Sequence, residues 1–293
     1  MKRIVTNLAG SVVFDVLPPG AVLRKSAPRE PRSVATGARE TLWSRLAKAK
    51  IISLGRSVIP DSDHSWCQRV GWVGVRDNAS IAAIKGAGIQ HVGYFPDLAF
   101  LVEQLSDLPR SGSLGKIGFS FRSEIPERKS EDDKYSDTIQ QATECISQYL
   151  QSIEQRQLFA FHQVAEDASY MARLAGEHDF TLHEAPITLD SYQDFYQEFD
   201  VVFSNRLHCL LMGALRGAIP IAVTTQEHTK IVSLYETIGW ENLLLFADKP
   251  DEIIARLETI LKDADGIREC VSKTMLAQNQ KAKQAIKELV SLD

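Results

Sequence analysis

From Lys116 to Phe246 short apolar runs alternate with helical stretches, and this rhythm constrains the fold more than any other feature of the chain. Lys116–Phe121, Gln157–His162, Phe180–His183, Asp200–Phe203, Ile219–Val223 and Asn242–Phe246 read as strands. Lys134–Glu154, Asp167–Glu177, Leu189–Glu198, Asn205–Arg216, Thr229–Ile238 and Pro250–Asp263 read as helices. Strands alternating with helices of this length form βαβ units, and βαβ units impose a parallel sheet. Val201-Val202-Phe203 and Ile219–Val223 are unbroken apolar runs, as expected of strands covered on both faces.

The N-terminal half is less regular. Lys2–Leu8 and Ser11–Leu17 are short apolar runs ended by Pro18-Pro19-Gly20. Ala27–Gly37, with its prolines and arginines, predicts a loop, and Thr41–Lys48 has helical spacing. Lys50–Leu54, Gly71–Val75 and His91–Phe95 predict strands, and Asn78–Gly86 predicts a helix capped by Asp77 or Asn78. Ser106–Lys116 is rich in Ser, Gly and Pro and predicts a domain boundary. Met275–Leu292 lacks Gly and Pro and predicts an amphipathic helix. The expectation is an α/β protein with two Rossmann-like domains and a cleft between them. It divides into an N-terminal α/β domain over 1–112, a Rossmann-like domain over 113–274 and a C-terminal helix over 275–293. Ligands in such sheets bind at the carboxyl ends of the strands, so the cleft is the expected site.

Composition narrows the function. With 33 Lys and Arg against 38 Asp and Glu the net charge is −5, which argues against nucleic acid as a partner. No stretch approaches the ~20 apolar residues of a membrane span. The apolar run after Met1-Lys2-Arg3 is broken by Asn7 and Asp15, so no signal peptide is expected. Cys67, Cys145, Cys209 and Cys270 are widely spaced, which excludes a zinc ribbon and suits a reducing, cytoplasmic setting. No metal-ligand spacing is visible; Asp61-Ser62-Asp63-His64 reads as a polar loop.

Ser204-Asn205-Arg206-Leu207-His208 follows one strand and opens the next helix, with Ser204 or Asn205 expected as its cap. Cations in a first turn oppose the helix dipole, and a bound anion would resolve the conflict. Arg206 offers a planar fork for carboxylate or phosphate, and His208 could act as a general acid. The plainer alternative is a surface ion pair for Arg206 and a packed polar role for His208. Arg122 ends the strand Lys116–Phe121 and is either an anion contact or a salt-bridge partner. Pro96-Asp97 ends another strand, where spacing alone favours a plain helix cap. His162 could bind substrate or cap the following helix, and Lys230 opens the helix Thr229–Ile238.

Phe203–His208, followed by Met212-Gly213-Ala214 and Gly217-Ala218-Ile219-Pro220, resembles the signature of the polysaccharide pyruvyl transferases. Val75-Arg76-Asp77-x-x-Ser80, Gly88-Ile89 and Pro96–Phe100 resemble that family's central block, and Ile117–Arg122 the strand opening its second domain. Lys230 falls where the family has a lysine. The resemblance covers roughly Ile51 to Trp240. It implies a GT-B-like architecture, with the acceptor on the N-terminal side and the donor on the C-terminal side. It implies transfer of a pyruvyl group from phosphoenolpyruvate to a sugar, giving a ketal, with no cofactor. Arg206, Leu207, Arg122 and Lys230 would bind the donor, His208 and Asp97 would be catalytic, and Arg76 and His162 secondary or acceptor contacts. The implied acceptor is a lipid-linked oligosaccharide, with contact at the inner membrane face or with other polysaccharide-assembly enzymes. Asn7–Ser11 and Phe14-Asp15 depart from the family's Gly-Asp turn after the first strand. The alternatives are a nucleotide-sugar glycosyltransferase, with Glu184 holding a sugar, and a non-catalytic scaffold.

Overall fold

In a computed structural model the described residues are 4–7, 11–14, 21–24, 50–58, 64–69, 71–102, 114–123, 132–185, 187–188 and 191–291. The loop expected over Ala27–Gly37 and the helix expected over Thr41–Lys48 lie outside them. Contacts divide the chain into one unit of 1–102 with 277–293 and another of 103–276. The helix near the C-terminus is longer than its apolar pattern indicates: it runs from Ala264 to Ser291 and contributes to both units.

The first unit contains an antiparallel pair, β1 (Ile4–Asn7) and β2 (Ser11–Phe14), and a parallel sheet. The sheet has the order β3 (Ala21–Arg24), β4 (Lys50–Arg56), β5 (Trp72–Val75), β6 (Val92–Tyr94). Successive strand residues point to opposite faces. Val73, Val75 and Val92 accordingly pack with Ile84 of α1 (Asn78–Gly86), while Leu54, Phe95 and Trp72 pack with Ala282, Ala285 and Ile286 of the C-terminal helix. Gly74 lies on the second face, where a Cβ would come within 2.6 Å of the Trp72 ring. Asp77 caps α1 as its sequence position predicts, accepting from the Ser80 amide at 2.7 Å.

The second unit is a six-stranded parallel sheet. Its strands are β7 (Lys116–Ser120), β8 (Gln157–Phe161), β9 (Thr181–His183), β10 (Val201–Ser204), β11 (Ile219–Thr224) and β12 (Leu244–Phe246). Their order is β12-β11-β10-β7-β8-β9. Counted within the unit from the β9 edge this is 3-2-1-4-5-6, the doubly wound Rossmann order. The helices are α2 (Asp132–Gln151), α3 (Ala168–His178), α4 (Tyr192–Gln197), α5 (Leu207–Leu215), α6 (Thr229–Ile238), α7 (Pro250–Lys262) and α8 (Ala264–Ser291). Phe119 stacks on Phe203 of the neighbouring strand at 5.0 Å and on Phe180 at 4.6 Å.

The small-residue segment after Leu207 has a packing cause. A Cβ on Gly213 would lie 3.0 Å from Val202 Cγ2, tighter than an ordinary contact, so the absence of a side chain there eases the close approach of α5 to β10. Gly217 then turns the chain with φ of +90°, a conformation that costs glycine little. Pro220 sits inside β11, opposite Val202, although proline cannot donate to a ladder. It is tolerated because pairing with β12 begins only at Ala222. The Pro220 carbonyl instead accepts from the Tyr235 hydroxyl at 3.0 Å.

Candidate functional site

The strand order reverses between β7 and β10, and adjacent loops there part to opposite faces of the sheet. In open α/β sheets ligands bind at the carboxyl ends of the strands at such a point. Arg122 leaves β7 and Asn205 leaves β10 at this point. Their backbone and amide groups bond reciprocally: the Arg122 amide donates to Asn205 Oδ1 at 2.8 Å, and Asn205 Nδ2 donates to the Arg122 carbonyl at 2.9 Å. Asn205 Nδ2 also donates to the Tyr135 hydroxyl at 3.0 Å. Asn205 is therefore a clamp that joins the two strand ends.

This corrects the expected cap. Neither Ser204 nor Asn205 caps α5; Arg206 is the N-cap residue, extended at φ −109° and ψ 113°, with no side-chain cap bond. The Ser204 hydroxyl donates to the Ser120 carbonyl and accepts from the Arg206 amide. The first turn of α5 thus keeps amide groups to which no cap side chain is bonded.

Arg206 does not stand open to a ligand. Its guanidinium forms a two-pronged ion pair with Asp167, Nη2 to Oδ1 at 2.5 Å and Nε to Oδ2. An anion opposes the cation at the helix start, as the dipole argument requires, but the chain itself supplies it from the start of α3. Burial pushes the Asp167 carboxyl up, while Arg206 and Arg122 pull it down. Leu207 is buried as the first residue of α5, and His208 is half-buried at the second. Because Arg206 is extended and His208 is helical, the opposed directions that a regular helix would give the two residues do not apply.

Arg122 continues into a second buried group. Its Nη2 lies 2.7 Å from His228 Nε2, and His228 Nδ1 lies 2.9 Å from Thr224 Oγ1 at the end of β11. Lys230, half-buried in the first turn of α6, adds positive charge beside His228.

The remaining expected site residues are placed differently. In the first unit Asp97 is fully buried. Its Oδ1 accepts from the Ala99 amide at 2.9 Å, capping a short 3-10 helix over Leu98–Leu101, and its Oδ2 pairs with Arg76 Nη1. Arg76 Nε also donates to Ser57 Oγ at 2.8 Å. A carboxylate held on both oxygens in the core is unsuited to take a proton from a sugar hydroxyl. The helix cap favoured by spacing is what Asp97 forms, and Arg76 is its partner. His162 follows β8 half-buried, and its Nδ1 is buried without a hydrogen-bond partner among the described residues. It caps no helix; Val164 and Asp167 stand at the N-terminal ends that follow. Glu184 is exposed just beyond β9.

Asp97→Asn tests this placement. Asparagine caps a helix as well as aspartate, so only the ion pair is lost. Stranding buried Arg76 is expected to cost about 3–5 kcal/mol, read from urea unfolding. A loss below 1 kcal/mol would mean that the pair contributes nothing.

Asn205, Asp167, Tyr135, Thr224 and His228 escape sequence reasoning as site residues. Only Asn205, lying inside the quoted motif, carries a local signal; the others come to the switch point through the strand order.

Among the described residues no group of His, Cys, Asp and Glu could hold a metal ion, and no helix is long and apolar enough to cross a membrane. A sequence model of the polysaccharide pyruvyl transferase family matches residues 35–224. No curated protein gives a significant sequence match. Among solved structures the chain is similar to a UDP-N-acetylglucosamine 2-epimerase from Listeria monocytogenes, with TM-score 0.61 and 12% identity over 93% of this chain and 74% of that one. It is also similar to an E. coli trehalose-6-phosphate structure bound with UDP-2-fluoro glucose, with TM-score 0.59 and 10% identity over 94% and 74%. A further neighbour is TarM, with TM-score 0.52 and 10% identity over 83% of this chain; the chain spans 50% of that protein's length. At these identities the likeness is one of fold, and it is GT-B-like.

Proposed function

Because the chain belongs to the polysaccharide pyruvyl transferase family, we propose that it transfers the pyruvyl group of phosphoenolpyruvate to a sugar of an exopolysaccharide or cell-surface glycan precursor, forming a ketal. The observation that supports this most is the reciprocal bonding of the Arg122 backbone and the Asn205 amide across the switch point, which joins the end of β7 to the start of α5, whose first-turn amides have no side-chain cap. Such amides favour an anion. Phosphoenolpyruvate carries two anionic groups; in this reading Arg122 receives one, Arg206 exchanges its pairing with Asp167 for the other, and Lys230 is a further cation.

In this reading His208 delivers a proton to the methylene carbon. Positive charge then develops at C2, where one sugar hydroxyl adds and loses its proton. The C2–O bond to phosphate breaks, phosphate leaves, and a second hydroxyl adds at C2 with loss of its proton to close the ketal. Donor, diol and products balance without a redox or metal step, so no cofactor is invoked. The role of Asp167 is to orient the Arg206 fork, which is planar by its own delocalisation, until donor arrives.

The test is incubation of the protein with phosphoenolpyruvate and a lipid-linked oligosaccharide, in buffer and in EDTA. Mass spectrometry is expected to show the mass of a pyruvate ketal, and phosphate release is expected to match it in both conditions. The structural neighbours solved with UDP ligands make a nucleotide-sugar donor the second reading. Saturable binding of UDP with none of phosphoenolpyruvate would overturn the first reading in favour of the second. Turnover lost in EDTA and restored by a divalent ion would overturn the metal-free scheme.

A further inference from the structure

His228 precedes α6 and is buried against the carboxyl ends of the central strands. A guanidinium has N–H donors and no acceptor. At 2.7 Å from Arg122 Nη2, His228 Nε2 must therefore present its lone pair. In the neutral ring the proton then sits on Nδ1, and Nδ1–H donates to Thr224 Oγ1 at 2.9 Å. The bonds run in one direction: Arg122 donates to His228, and His228 donates to Thr224.

We propose that His228 is a positioning residue for Arg122, its Nδ1–H tautomer set by Thr224 and its Nε2 lone pair holding the guanidinium at the switch point. The proposal rests on reading Arg122 as a donor clamp. A neutral acceptor suits the task, because a carboxylate there would neutralise Arg122 and compete with the donor's negative charge. The acceptor must also stay neutral. The titratable groups facing His228 are Arg122 from the end of β7, Lys230 on α6, and Tyr135 of α2, whose ring meets the imidazole edge-on at 6.5 Å. Burial, followed by the two cations, lowers the imidazole pKa to about 3. Protonation therefore does not remove the acceptor at neutral pH or in mild acid.

Two substitutions separate positioning from bulk structure. His228→Leu removes the acceptor and His228→Gln keeps a neutral one. With wild-type protein that turns over phosphoenolpyruvate, the leucine variant is expected to raise KM for it at least tenfold with kcat within about threefold. The glutamine variant is expected to return KM to within about threefold of wild type. Equal KM in all three proteins, or a loss confined to kcat in both variants, would overturn the proposal. Wild-type protein without saturable dependence on phosphoenolpyruvate would instead sink the donor assignment. A second measurement needs no donor. In 15N correlation spectra of the 7 histidines, the imidazole missing from His228→Gln is expected to show the Nδ1–H tautomer from pH 8 to pH 5. An Nε2–H tautomer, or titration near pH 6.5, would overturn the bonding pattern on which the proposal stands.

Discussion

Arg206→Lys is expected to weaken phosphoenolpyruvate binding by about 10- to 100-fold while leaving the protein folded. The reasoning starts from Asp167. Both prongs of the Arg206 fork face that buried carboxylate, so a cation at this position keeps Asp167 paired. Lysine keeps the charge opposite Asp167 but offers a point donor in place of a planar pair. The forfeited hydrogen bond to a charged partner is worth about 1.5–3 kcal/mol, which sets the expected range. Arg206→Ala is expected to abolish detectable donor binding. Its effect on stability is tempered, because burial already pushes the Asp167 carboxyl up and an unpaired Asp167 can take a proton rather than remain a stranded charge. Isothermal calorimetry reads the affinity and thermal unfolding reads the fold. Wild-type affinity in Arg206→Lys would show that the fork serves Asp167 alone and not the donor.

His208→Asn is expected to lower turnover by ~10²–10⁴, the usual contribution of a general acid, with phosphoenolpyruvate binding kept within a few-fold. The second residue of α5 is helical and half-buried, so an amide of similar size disturbs neither the helix nor its packing on β10. The helix's buried contacts come from Leu207, Cys209 and the residues after them. Single-turnover measurements separate the chemical step from binding and release. Near-normal turnover would make His208 a packed polar residue, and loss of donor binding would make it a clamp.

Local sequence determined the parts of this protein that depend on neighbours along the chain. The helix Thr229–Ile238 was legible to the residue, and each of the six strands of the second sheet was legible to within a residue or two. Apolar periodicity and flanking Gly and Pro act over a few residues, and so do strands and helices. Asp77 as a cap and the Arg-Leu-His segment at a strand-to-helix junction belong to the same class.

What each polar side chain faces was settled only in three dimensions. Arg206 and Asp167 stand 39 residues apart, Arg122 and Asn205 stand 83 apart, and Arg122 and His228 stand 106 apart. None of these pairings leaves a local pattern. They follow from the order 3-2-1-4-5-6, which sets the first strand beside the fourth and brings the end of β7 against the start of α5. Asn205 shows the division most plainly. Its place after a strand and before a helix made it look like a cap, because a short amide can bond a free helix amide. Once β7 lay alongside β10, its amide met the complementary backbone groups of Arg122 and hydrogen-bonded there instead. The sequence alone determined that a basic turn would open a helix above a parallel sheet. The strand order decided that its Arg206 pairs with Asp167 and that Arg122, from the end of β7, leans on His228.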